Sequence, residues 1–342
     1  MKKNTVAIIV ALCLLVAGVA IVAAAFTMTD FKLSGFSSEQ YEEHTYTVDV
    51  DFEHILIATQ EHDLNVLPSE DDECRIVCDE SGNFKLEYEI DSGALVVKVV
   101  DQRKWYDYIG IFDDSEKLTL YLPKEHYTSI TAATDTGDMT FSESLTFTRA
   151  SIATSTGDIN ISSKVRESLE LAASTGHINV YDQELTKLGV SVTTGKICLE
   201  NIKASGRITL ECSTGDIELH SVEAGSISSE GSTGDILLKY VTVENDVKFE
   251  RSTGDVTLTS VVAGSFDILT DTGDVKLYLS DAESIEIETD TGRVDGTLLT
   301  EKIFITESST GKIKVPHTTS GGVCKIKTST GNIHITVSED KK

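Results

Sequence analysis

Proline is scarce in this sequence, three in 342 residues, and glycine at 24 is ordinary. Together they exclude a collagen-like chain and a disordered composition. Positive charge is also short. Lys and Arg number 29 against 56 Asp and Glu, a formal charge of −27. A field of that sign repels nucleic acid and attracts cations, which excludes nucleic-acid binding as a function class. The six cysteines form no framework. Cys74 and Cys78 stand four apart in a strand-like stretch, roughly 13 Å along the chain, which is too far for a disulfide. Zinc sites ordinarily use two such pairs, and there is one. Buried free thiols are the expectation. No nucleophile motif, phosphate-cradling glycine loop or histidine ligand spacing occurs either. The regular repeats carry no insertion that could wall a catalytic cleft, so the chain is read as a non-enzyme.

What the chain does have is a period. Gly137, Gly157, Gly176, Gly195, Gly215, Gly234, Gly254, Gly273, Gly292, Gly311 and Gly331 recur every 19 or 20 residues, typically within Ser-Thr-Gly-Asp as at Ser213–Asp216. A fixed period of this size marks a solenoid. Two places after each glycine all eleven residues are apolar, from Met139 to Ile333. Four places after, only Gly296 breaks the column. Five and seven places before, as at Ile208 and Leu210, the columns are again mostly apolar.

Period two on each side means strands with one buried face. The inward parity switches across the glycine, which a straight strand cannot do. A corner at Thr-Gly can, and glycine tolerates the positive φ of such a corner. Each unit therefore reads as strand, sharp corner, strand and a looser return of about eight residues. Stacked coils about 4.8 Å apart form parallel ladders, and eleven make a rod roughly 53 Å long. The expected fold is all-β, a parallel β-solenoid. Two degenerate coils are expected before it, with His62 and Gly93 in the glycine role.

The domain plan follows. Residues 1–27 hold a cytoplasmic start and a transmembrane anchor. The uncharged run at 6–26 follows Lys2 and Lys3 and is about 30 Å long as a helix. The leading lysines place the N-terminus inside and the rest outside, a single-pass cell-membrane protein. Residues 28–48 form a linker and 49–125 the degenerate coils and cap, with an irregular insertion near 101–117. The regular solenoid is 126–338 and the charged tail 339–342.

The anchor, the strand ending Leu118–Pro123 and the Ser-Thr-Gly-Asp-Ile repeats together resemble the bacterial “putative adhesin” family of β-strand-repeat surface proteins. The resemblance covers about residues 50–338. It implies a surface-exposed parallel β-solenoid, similar to membrane-anchored members associated with cell-envelope stress systems, and offers no catalytic residues.

Two clusters carry candidate chemistry. Asp216, Asp235, Asp255 and Asp274 follow the glycine on consecutive coils, and Asp271 and Asp290 stand two places before it. Stacked carboxylates repel unless a cation lies between them, and calcium takes such oxygen ligands. The competing reading, which is favoured, is that these side chains hydrogen-bond the corner backbone. The threonine before each glycine is read as a hydroxyl ladder supporting the turn. Trp105, Tyr106 and Tyr108 cluster in the irregular insertion, either as a cap on the open core or as a partner surface. The functional expectation is a membrane-anchored extracytoplasmic binding or scaffold module contacting an envelope protein or cell-wall polymer. The alternatives are a regulatory ectodomain touching an envelope-stress sensor, and a polysaccharide-active enzyme.

Overall fold

The computed structural model describes residues 42–81, 84–102 and 116–338. The anchor, most of the linker, the Trp105–Tyr106–Tyr108 cluster and the tail lie outside them. Among the described residues, twenty-six strands form one continuous sheet wound into a parallel β-solenoid. In the rung cornered at Gly215, Ile208 and Leu210 precede the corner, and Ile217 and Leu219 follow it, all buried. Each such aliphatic contributes about 1.5–3 kcal/mol by leaving water, but only because the rungs above and below cover it.

We call the strands before the corner face A and those after it face B. The expected loose return is instead ordered. At position six after the glycine, Asp182, Asn201, Ser221, Tyr240, Ser260 and Leu279 all take φ between 48° and 57°, making a second corner. Beyond it a short third face runs in register: Gln183–Leu185, then Ile202–Ala204, Val222–Ala224 and Val241–Val243. This face C closes a triangular coil.

The glycines serve the stack more than the bend. A Cβ on Gly215 would lie 1.6 Å from Gly195 O, and all eleven corner glycines meet a neighbouring carbonyl at 2.4 Å or less. Positive φ is confined to the first seven, Gly137 to Gly254.

The stacking order departs from sequence order at both ends. Label the first seven strands β1 (Glu42–Val48), β2 (His54–Ala58), β3 (Asp63–Pro68), β4 (Cys74–Glu80), β5 (Phe84–Asp91), β6 (Ala94–Asp101) and β7 (Lys117–Leu122). β2 and β3 form a rung cornered at His62, stacked directly beneath the Gly137 rung. Under it lies the rung of β6 and β7. The Gly93 coil expected from the sequence does not exist. Ser92 and Gly93, both at positive φ, turn an antiparallel hairpin between β5 and β6. Leu95 and Val97 therefore fill the face A columns of Ile55 and Ile57. β5 closes face A antiparallel to β6, while β4 closes face B antiparallel to β7, with β1 beyond it.

At the other end the last two coils exchange places. The Gly292 rung pairs with the Gly331 rung, and the Gly311 rung stacks outside that. The chain steps over one vacant level and returns to fill it. A buried ion pair marks the step: Lys302 Nζ lies 2.5 Å from Asp281 Oδ1, while Asp281 Oδ2 accepts Thr300 N–H at 2.6 Å.

Candidate interaction surfaces

The corner aspartates form a ladder. Asp216 Oδ1 accepts the main-chain N–H of Asp235 at 2.9 Å, Asp235 that of Asp255 at 2.8 Å, and Asp255 that of Asp274 at 2.8 Å. Asp274 does the same for Arg293. Asp63, Asp138 and Asp158 build the same ladder lower down, and His177 Nδ1 takes the role for Lys196 N–H. Each carboxylate thus satisfies a corner amide one rung on, as the favoured reading of the motif expects. Two cations gather at the upper end. Lys276 Nζ is 2.6 Å from Asp255 Oδ2, and Arg293 Nη2 is 3.2 Å from Asp274 Oδ2. Burial opposes ionisation of Asp255, but Lys276 and the Asp274 N–H outweigh it and hold the carboxyl below its ordinary range. Asp216, Asp235, Asp255 and Lys276 line one shallow hollow of about 320 Å³. Asp271 and Asp290 stand apart, exposed on face A, where Asp290 Oδ1 accepts the Ser329 hydroxyl. Among the described residues, no group of three or more His, Cys, Asp and Glu is placed to hold a metal ion.

The turn-supporting hydroxyl belongs to a different threonine from the one read in the sequence. Thr270, Thr289 and Thr328, three places before the glycine, are buried. They donate to Gly254 O, Gly273 O and Gly292 O. The threonine immediately before the glycine is exposed in every rung. Elsewhere the column holds Ala173, Val192, Cys212, Gly231 and Ser308, and it has one charged member. Arg251 is 3% exposed, its Nη1 donates to Cys212 O at 2.7 Å, and its Nε and Nη2 find no partner. Desolvation lowers the guanidinium pKa. Gly231 beside it leaves the room, since a Cβ there would meet Nη1 at 2.1 Å.

Cys74, Cys78, Cys198, Cys212 and Cys324 are free thiols. Burial pushes Cys74, Cys78 and Cys324 up to about 12, so they stay protonated and unreactive.

A second surface was not foreseen. Face C carries a trough of about 1050 Å³ crossing six rungs. Its floor is small, with Ala204, Ala224 and Gly225, and its walls are charged, with Lys164, Arg166 and Lys203 against Glu184 and Glu223. It begins at a change in coil geometry. Buried Gln183 bridges the step, accepting Val165 N–H and donating to Ser163 O. The sequence signal was available: position six after the glycine favours Asp, Asn and Ser, which tolerate left-handed backbone, and position nine is an aliphatic column.

A parallel β-solenoid with carboxylate-tied corners defines a class of repeat protein that presents faces, corners and ends instead of an enclosed cavity. The chain belongs to the family Toastrack DUF4097, whose model matches residues 52–244 and again 221–342. No curated protein matches the sequence. Among solved structures it is similar to a “putative adhesin” from Bacteroides fragilis NCTC 9343, with 15% identity, 85% of this chain and 98% of that one covered, and a TM-score of 0.39. A “putative adhesin” from Parabacteroides merdae ATCC 43184 shares 14% identity over 86% of this chain and 96% of that one, with a TM-score of 0.40. A “putative lipid binding protein” from Parabacteroides distasonis ATCC 8503 shares 13% identity over 87% and 98%, with a TM-score of 0.38.

Proposed function

We propose that the protein is a membrane-anchored, extracytoplasmic binding or scaffold module of the bacterial cell envelope, working without turnover. The observation that carries this reading is the face C trough, long, open and lined by charges of both signs. Such a groove suits an extended polymer or protein segment better than a small molecule, which ordinarily needs a concave, mostly apolar enclosure. The uncharged run at 6–26 supports the anchor, and the resemblance of the Ser-Thr-Gly-Asp repeats to the adhesin family supports the adhesin-like role. The aspartate ladder is assigned a structural task, not a calcium site. Trp105, Tyr106 and Tyr108 stay assigned to a cap or partner contact. Crosslinking in intact cells, followed by identification of the adduct, is the test. An envelope protein or cell-wall polymer should be captured, and Arg166→Glu with Lys203→Glu should abolish capture without changing the melting temperature. Capture unaffected by that pair would remove the trough from the proposal. Release of products from an acidic glycan panel would replace binding by catalysis.

A further inference from the structure

The two ends of the rod are finished differently. At the N-terminal end, β5 adds antiparallel to β6, and β4 and β1 extend face B from β7; the outermost strands present charge, Lys85, Glu87 and Glu89 on β5 and Glu42 and Glu43 on β1. At the far end the outermost rung consists of Lys302–Ser308 on face A and Ile313–Lys314 on face B. Among the described residues, Lys302–Ser308 pairs only with Gly322–Thr330. Its outer row of backbone donors and acceptors therefore lacks a ladder partner, apart from Lys302 O, which accepts the Thr318 hydroxyl.

Natural edges of this length are usually blunted by charge, proline, a bulge or a covering element. Here the strand centre is Ile303, Phe304, Ile305 and Thr306, without a charge. Ile303 is 41% and Ile305 55% exposed, and Val323, in register with Ile303, is 44% exposed. Outward residues elsewhere on this part of face A are charged and paired: Lys325 with Glu286 at 2.6 Å, and Lys327 with Glu288. The open edge thus joins three things: unpaired backbone, an outward apolar pair, and the exposed end of the core at Ile313.

Charge columns specify what comes next. One outward column runs Glu288, Lys327, Glu307, alternating in sign from rung to rung. The neighbouring columns end on Ile305 and Ile303. The next strand should therefore set apolar residues beside the two isoleucines and a cation beside Glu307. A glycan offers no backbone ladder, whereas an extended peptide does. We propose that this edge is a strand-acceptor site for an extended segment of a partner protein, whose alternate residues read apolar, apolar and Lys or Arg. The site lies apart from the face C trough and does not depend on it.

The full chain in detergent, mixed with the peptide TVTVTKT or its reverse TKTVTVT, provides the test by amide hydrogen exchange. One polarity should slow exchange across residues 302–308 by about tenfold or more, leaving face C amides unchanged. The charge-inverted TVTVTET should protect less. Glu307→Lys, an exposed change that sets a second cation beside Lys327 and lowers the melting temperature only slightly, should reverse that preference. Methylation of the peptide backbone nitrogens should abolish protection. Unchanged exchange with both polarities, or equal protection by the methylated peptide, overturns the proposal. So does end-to-end dimerisation in sedimentation without peptide protection, because the edge would then belong to a second copy.

Discussion

At the scale of single residues, backbone proximity sets the tolerances. Gly215 has a neighbouring carbonyl where its Cβ would be and a φ of 138°. Gly93, in the hairpin turn, has φ 80° and nothing within 4 Å. Gly215→Ala should cost about 3 kcal/mol or more, since two rungs must move apart, and Gly93→Ala only about 1–2 kcal/mol of backbone strain. Urea unfolding of the two variants side by side checks this, and equal losses would refute the stacking explanation. Arg251 makes the opposite case. Its buried guanidinium satisfies one carbonyl and strands two nitrogens. Arg251→Met keeps the volume and removes the desolvated charge, so it should stabilise by about 1–3 kcal/mol. A lower unfolding midpoint would show that the charge has a partner.

At the scale of elements, the ladders and the displaced rung decide behaviour. Asp255 has a depressed pKa, so its contribution is present above the ordinary carboxylate range near pH 4. It is lost as pH falls through the folded value. The melting temperature should therefore drop more steeply below about pH 4 in the native protein than in Asp255→Asn. Parallel pH profiles would argue against it. The Asp281–Lys302 pair is nearly solvent-free. Lys302→Met alone leaves a buried carboxylate and should cost about 3–5 kcal/mol, whereas Lys302→Met with Asp281→Leu should recover most of that. Limited proteolysis should show cleavage after residue 298 in the single variant only. The pair also ties the two strands across the step, holding residue 302 beside residue 281 in the inverted order.

For the whole molecule, a net charge of −27 spread along a rod about 60 Å long makes self-repulsion a global term. Raising NaCl from about 10 to about 300 mM shortens the screening length several-fold, and the melting temperature should rise by a few degrees. A fall would mean that local ion pairs outweigh the global field. The same acidity keeps laterally crowded rods apart, leaving the face C trough and the far tip as surfaces for contact.

The repeat, the corner, the inward columns and the His62 rung were all legible in the sequence, because each depends on residue type at fixed spacing. Glycine recurs where a Cβ would strike a carbonyl, and aliphatics recur with period two where water is excluded. Aspartate recurs where an amide needs an acceptor. Face C was half legible, since Asp, Asn and Ser share a column with Tyr240 and Leu279, whose types do not announce left-handed backbone. Rung order was not legible at all. Parallel coils with the same columns are interchangeable as patterns, so nothing in the spacing says that the Gly331 rung lies between those of Gly292 and Gly311. That order shows only in the tertiary contacts, in the strand pairings and in the buried Asp281–Lys302 pair that spans the step. Residue type at fixed spacing specifies the rung, whereas rung order and the uncharged far edge follow from packing between residues distant in the chain.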